Sequence, residues 1–241
     1  TCGRPDKIRR CLECVHGTID SDTIVSVVDS SPNEESQQVY AKFPAYRIIR
    51  PHAMLGPSAA RRILCENATT EFLLLLDDDI EITIQTVAAL LAHLEEHPRT
   101  DIVTAAWEEY GSMREAGQKL VFGEGPGGPV VLRSLIFLSD LRRAGVSSVT
   151  VDVGHGTMML RTRILEHVAF DPQFTFYYEL LDFYMQCRAH GFRVDTTTST
   201  MFVHKPTRYR VATNRQSYDK NRAIALFEDK WNLRPVGPLG A

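Results

Sequence analysis

The chain has 241 residues, is 44% hydrophobic and 24% charged, and carries a formal net charge of −3. That composition belongs to a globular protein long enough to bury a sizeable core, and the slight acidity excludes a duplex nucleic-acid binder, which needs a basic patch. No apolar run approaches the roughly 18 residues of a membrane span, and no signal peptide is visible.

The first element follows a turn at Gly3 and Pro5. Ile8, Cys11, Leu12 and Val15 then recur at helical spacing. Because the chain opens on Thr1 and not Met, a piece of the natural N-terminus is expected to be missing. TIVSVVDSS is a short β-branched strand ending in Asp29, and YRIIRP is another. GPSAARRILCENA reads as a loop and then a helix carrying Arg61. EFLLLLDDD is uniformly apolar up to its acids, the pattern of a strand buried on both faces of a parallel sheet. An amphipathic helix stopped by Pro98 and a strand, DIVTAAW, follow. Strand and helix therefore alternate through about residue 107, which predicts an α/β fold with a mostly parallel central sheet flanked by helices. In such sheets ligands bind at the carboxyl ends of the strands, where Asp29 and Asp77 to Asp79 fall.

The second half is less regular. FGEGPGGPV (122–130) reads as a Gly/Pro-rich surface loop. VTVDVGHGTMMLRT holds two β-like runs around Gly154, His155 and Gly156. YYELLDFYMQCRAHGF predicts a helix stopped by Gly191, and RVDTTTSTMFVHKP one or two strands ending at His204. The remainder is basic (Arg208, Arg210, Arg215, Lys220, Arg222) before an apolar helical stretch and a Pro/Gly tail.

Cysteines number five, at positions 2, 11, 14, 65 and 187. An odd, scattered set is not a disulfide framework and fits a reducing compartment, so a cytoplasmic location is expected. Cys11 and Cys14 are read as two thiols on one helix.

Three adjacent carboxylates at a strand end need a cation. Hard ions such as Mg²⁺ or Mn²⁺ take oxygen ligands and pair with phosphates. In an extended segment Asp77 and Asp79 share a side, so one can serve the ion and the other a ribose or a metal-bound water. A second acidic pair, Glu179 and Asp182, lies one helical turn apart after the aromatic cluster Phe174, Phe176, Tyr177 and Tyr178. A carboxylate beside aromatic rings is partly desolvated, which raises its pKa and suits it to general-base work. His204 at a strand end is a candidate metal ligand.

Taken in order, these segments resemble inverting glycosyltransferases of the GT-A fold, family 2 in particular, over roughly residues 1–206. TCGRPDKIRRCLECV resembles the family's T-x-x-R-P turn and following helix, VVDSSPNE its V-D-D-G-S strand end, and GPSAARR its G-x-x-x-A-R-N. LLLLDDDI resembles the D-x-D motif, GHGTMMLRTRILEHVAFDPQF the segment before the catalytic acid, and VHKP the late histidine. The resemblance implies a Rossmann-like sheet with a smaller acceptor-side subregion. Residues 1–105 would form the nucleotide-sugar half, 106–206 the acceptor and catalytic half of the same domain, and 207–241 a basic flexible segment with a C-terminal helix and tail. It also implies that a strand precedes Thr1. Thr1, Gly3, Arg4, Asp29, Arg61, Asp77, Asp78 and His155 would hold the donor, and Asp79 and His204 the metal. The donor would be a nucleotide-diphosphate sugar, UDP-linked in preference to GDP or dTDP, used with Mn²⁺ or Mg²⁺. The acceptor would be a glycan or small molecule; no nucleic acid is involved.

One departure concerns the base. The family reads E-D-x-D, with the second residue as base; here Glu179-Leu180-Leu181-Asp182 puts leucine in that slot. The base then falls to Glu179, slightly favoured, or to Asp182. If neither serves, the chain is a retaining enzyme or inactive. Three rivals remain: a haloacid-dehalogenase-type phosphatase, whose D-x-D lies near the chain start and continues with Gly or Thr, not Ile80 and Glu81; a nucleotidyltransferase; and a silent nucleotide-binding module.

Overall fold

A computed structural model describes residues 1, 4–30, 33–114, 117–206 and 219–236. Gly3 and the basic positions Arg208, Arg210 and Arg215 lie outside the described residues. The first half contains α1 (Pro5–His16), β1 (Ser26–Val28), α2 (Glu34–Tyr40), β2 (Arg47–Ile49), α3 (Pro57–Glu66), β3 (Phe72–Leu75), β4 (Ile80–Glu81), α4 (Ile84–Glu96) and β5 (Ile102–Glu109). The second half contains β6 (Ser112–Arg114), β7 (Gly117–Gly125), β8 (Gly128–Ile136), α5 (Leu138–Arg143), β9 (Ser148–Val151), β10 (Met158–Arg161), α6 (Glu179–Ala189), β11 (Val194–His204), α7 (Lys220–Trp231) and β12 (Arg234–Val236).

The central sheet runs β3-β10-β5-β11-β4, with β6 on β5 and β9 on β11. Its alternating side chains separate two cores. On one face Leu75, Ile102, Met158 and Leu160 pack with Cys65 of α3, Leu181, Phe183 and Tyr184 of α6, and Phe227 of α7. On the other, Val103, Ala105, Trp107, Met159 and Phe202 pack with Cys11 and Val15 of α1 and Leu90 and Leu94 of α4. β5 runs across residue 105, so both halves of the chain share this sheet.

The α/β class is as the sequence predicts, but the sheet is mixed and not mostly parallel. Within it only β5–β11 is parallel. Alternation of strands and helices fixes strand direction, not adjacency: β10 enters antiparallel between β3 and β5. β1 and β2 form a separate parallel pair, and Thr1 N donates to Val28 O at 2.7 Å beside them. The expected loop at 122–130 is instead the tip of a long hairpin. β7 and β8 pair from Gly117↔Ile136 to Gly125↔Gly128, and β12 adds parallel to β8. The Gly/Pro density there makes only the tight turn, with Gly127 at φ 113° and Gly128 at φ 120°. Among the described residues no helix is long and apolar enough to cross a membrane.

The loop ahead of α6 is seated directly on the start of α3. Ser58 Oγ donates to Asp171 O at 2.7 Å, and a Cβ added at Gly56 would stand 2.0 Å from Thr175 O. Thr175 O is a backbone group, so no side-chain rotation relieves the clash. Gly56→Ala is expected to cost about 3 kcal/mol, read as a lowered denaturation midpoint with an unchanged m-value.

Candidate active site

Most of the sequence-predicted residues converge on one sheet edge, and the antiparallel insertion of β10 explains why. β3, β5 and β11 end there, and β10 begins there. The acids at 77–79, Glu109, His204 and the loop Gly154–Thr157 therefore meet. Register finishes the placement. β11 shifts between Thr197 and Met201, and beyond that bulge His204 stands between Glu109 on β5 and Ile80 on β4.

Arg61, on the buried face of α3, links two acids. Its Nη2 donates to Asp77 Oδ1 at 2.8 Å, and its Nη1 lies 3.7 Å from Glu179 Oε1. Burial opposes the charge on Arg61, but Asp77 and Glu179 outweigh it and raise its pKa. In turn Arg61 holds Asp77 below the usual carboxylate range against the burial that would raise it. Gly156 makes room for the guanidinium, since a Cβ there would meet Arg61 Nη2 at 2.8 Å. The same imagined Cβ would meet Leu180 Cδ1 at 3.4 Å, so Leu180 borders this site.

Arg4 bonds both Asp78 and Asp79, the latter at 3.3 Å. Asp78 Oδ2 is buried without a hydrogen-bond partner among the described residues. Asp79 Oδ2 also lies 3.7 Å from His204 Nε2, while His204 Nδ1 stands 3.0 Å from Glu109 Oε2. Desolvation opposes a charged His204, but Asp79 and Glu109 outweigh it and raise its pKa. Glu109 was not among the expected residues. Only the parallel β5–β11 register brings it to His204, and nothing local in the sequence signals that.

His155 faces the edge of Trp107, ring centroids 3.4 Å apart and 80° between planes. Burial pushes its pKa down to about 3, so the ring is neutral. Its Nδ1 accepts from Thr157 N at 3.0 Å, which leaves the proton on Nε2. Tyr184 of α6 donates to His155 O at 2.8 Å and holds this loop. Asp29 is fully buried at the end of β1 and accepts from the Tyr40 hydroxyl at 2.7 Å.

The two candidate bases part company. Glu179 opens α6 beside Arg61, directly after Tyr178, whose φ of 65° is left-handed. A bulky residue takes that conformation only where its surroundings hold it. Asp182, fully buried on the same helix, accepts from Gln186 at 2.8 Å, from Trp231 Nε1 at 2.9 Å and from Lys230 at 3.0 Å. Its carboxylate is thus turned to α7 and not to the Arg61 cluster.

Asp79 Oδ2 and His204 Nε2, 3.7 Å apart, can be compared with the spacing of two ligands on one divalent ion. Two ligands each about 2.1 Å from a metal stand about 3.0 to 4.2 Å apart, and 3.7 Å lies within that span. Among the described residues no group of three acid, His or Cys side chains is arranged to hold a metal.

Among solved structures the fold is similar to S. aureus TarS, with TM-score 0.62 and 16% identity, covering 86% of this chain and 35% of that one. It is also similar to S. aureus TarS 1-349 (0.59, 17%, covering 83% and 57%). GalNAc-T7, crystallised with UDP, GalNAc and Mn²⁺, is a third (0.59, 14%, covering 81% and 41%). The chain thus spans less than two thirds of each, and at these identities the likeness is one of fold. A search of curated proteins returns no match. The family described as glycosyl transferase family 2 matches residues 1–168, well over half of the 241. With the mixed sheet and the acids at its edge, that match settles the assignment: the chain belongs to glycosyl transferase family 2.

Proposed function

We propose that this glycosyltransferase moves a sugar from a nucleoside-diphosphate donor, UDP-linked in the first instance, to an acceptor hydroxyl with inversion at the anomeric carbon. The observation that carries this reading is Arg61, which spans the strand-end Asp77 and the helix-start Glu179. That contact supports a carboxylate base beside the sheet edge read as the donor side. Residues 1–105 are read as the nucleotide-sugar half and 106–206 as the acceptor half.

Asp29 with Thr1 holds the nucleoside end, and Arg4 and Arg61 supply positive charge for the diphosphate. Asp77 and Asp78 bracket the donor between them. The neutral His155 offers its Nε2–H, and Trp107 offers an indole N–H that is buried without a partner among the described residues; both suit sugar or phosphate oxygens. Glu179 takes the acceptor proton as the acceptor oxygen bonds to the anomeric carbon. The bond from that carbon to the diphosphate oxygen breaks, and the nucleoside diphosphate leaves with the electron pair. Asp79 and His204 would hold Mn²⁺ or Mg²⁺, which neutralises charge on the leaving diphosphate. Phosphate oxygens and water complete the ligands of such ions when the protein supplies only one or two. GalNAc-T7, of like fold, was crystallised with UDP and Mn²⁺, in keeping with this donor and ion. The scattered cysteines, of which Cys11, Cys14, Cys65 and Cys187 are free thiols, favour a cytoplasmic site of action.

The test is release of nucleoside diphosphate from a panel of nucleotide sugars, with and without acceptor and chelator. No turnover of any donor sinks the reading; full activity in excess EDTA removes the metal from it. Glu109→Gln is expected to weaken Mn²⁺ binding about 10- to 100-fold, because the carboxylate orients the ligating ring. Calorimetric Mn²⁺ titration in the presence of UDP measures this. Leu180 at the border of the site favours one other reading, a module that binds nucleotide without turnover. Tight UDP binding with no transfer across acceptors would select it.

A further inference from the structure

Asp182 and the helix it binds hold more than a local ion pair. The Lys230 ammonium lies 2.9 Å from Asp171 Oδ2 and 2.9 Å from Asp182 Oδ1. Asp171 belongs to the loop whose backbone is docked on α3 through Ser58 and Gly56. Asp182 belongs to α6. One cation on α7 therefore ties α6, which carries Glu179, to the loop seated on α3, which carries Arg61.

The surroundings leave that cation little freedom. Lys230 lies 5.7 Å over the ring of Phe174, which is fully buried in the same loop. Trp231 Nε1 donates to the same Asp182 Oδ1. Phe227, fully buried one turn earlier on α7, packs against Tyr178 at 5.8 Å and Phe174 at 6.5 Å. The left-handed Tyr178 that aims Glu179 is thus braced by the same helix. Burial raises the Asp182 pKa, although Lys230 and Trp231 oppose it. Asp182 is fully enclosed, so no acceptor reaches it without displacing α7.

We propose that Lys230 is a positioning residue. By bridging Asp171 and Asp182 it sets the separation of Arg61 and Glu179, which makes α7 part of the catalytic apparatus. The inference rests on the reading of Glu179 as the base. It assigns Asp182 to anchoring and not to proton transfer.

Removing Lys230 alone strands a buried carboxylate, which can unfold the protein. The test therefore compares K230M, K230R and the charge-balanced double variant D182N/K230M. It measures kcat, donor KM, UDP affinity by calorimetry, and Tm. A misplaced base costs turnover and not donor binding. The folded double variant is expected to lose between about tenfold and 100-fold in kcat with donor KM and UDP affinity within about twofold. K230R is expected to recover most of that loss. A folded double variant with wild-type kcat overturns the proposal, as does a loss that falls equally on UDP affinity. A K230R variant as poor as the double variant also overturns it. A wild-type arm that transfers no sugar removes the base itself, and is told apart because it fails before any variant is compared.

Discussion

Glu179→Gln is expected to lower sugar transfer about 10³-fold while donor affinity stays within about twofold. The amide keeps the size of the side chain and its place at the start of α6, but takes no proton. A loss of that size is about 4 kcal/mol of barrier. It should fall on kcat, because Arg61 keeps its 2.8 Å bond to Asp77 whether or not residue 179 is charged. Asp182→Asn should behave differently: a smaller fall in turnover accompanied by a lower Tm, since its carboxylate faces Lys230 and Trp231. Near-wild-type transfer by Glu179→Gln together with a 10³-fold loss in Asp182→Asn would return the proton to Asp182.

The second large effect lies at the opposite end of β11. Asp195 is all but fully buried and accepts from Thr100 at 2.6 Å, Thr150 at 2.8 Å, Arg193 at 3.0 Å and His93 at 3.2 Å. Burial alone would raise its pKa. The hydrogen bonds, from His93 first, outweigh that and hold it well below the usual carboxylate range. Asp195→Ala leaves these partners facing an empty interior and should cost about 3–5 kcal/mol. Because the folded pKa lies below the unfolded one, the stability from Asp195 is present above the unfolded value of about 3.9 and is lost as pH falls toward the folded value. The stability difference between wild type and Asp195→Asn, taken from denaturation curves, should therefore narrow as pH is lowered from about 5 to about 2. A difference that stays constant over that range would mean that Asp195 is not held ionised by its partners.

What could be read in the sequence was what local periodicity and side-chain chemistry dictate. Ile8, Cys11, Leu12 and Val15 predict the buried face of α1, and all four are buried. The apolar run into Asp77 predicts a strand that delivers acids to the edge of the sheet, which β3 does, but β3 is the outer strand, antiparallel to β10 and mostly half-buried, not one buried on both faces of a parallel sheet. Gly191 ends α6 at φ 75°, as a helix-stopping glycine should. Other features depended on partners far along the chain. Residues 34–40 pass without a signal because α2 is short and polar, held by an Asn33 capping box. The glycines at 123–128 suggested a loop because they report the turn and not the strands that pair across it. Glu109 looks like any acid at a strand end until the register sets it opposite His204. In the sequence Glu179, slightly favoured, and Asp182 lie one turn apart with aromatic neighbours. Arg61 beside the one and the arrival of α7 over the other distinguish them.

That arrival has a consequence for how the protein is made. Asp182 and Lys230 are separated by 48 residues of chain. At ribosomal speeds of about 5–20 residues per second, Asp182 emerges about 2–10 s before the cation that neutralises it. Throughout that interval the nascent chain can assemble β3, β10 and β5, but Gln186 is in place without the Lys230 and Trp231 that complete the enclosure of Asp182. Until residue 230 has emerged, α6 therefore has the central strands to pack on but not the cation that ties Asp182 to α7.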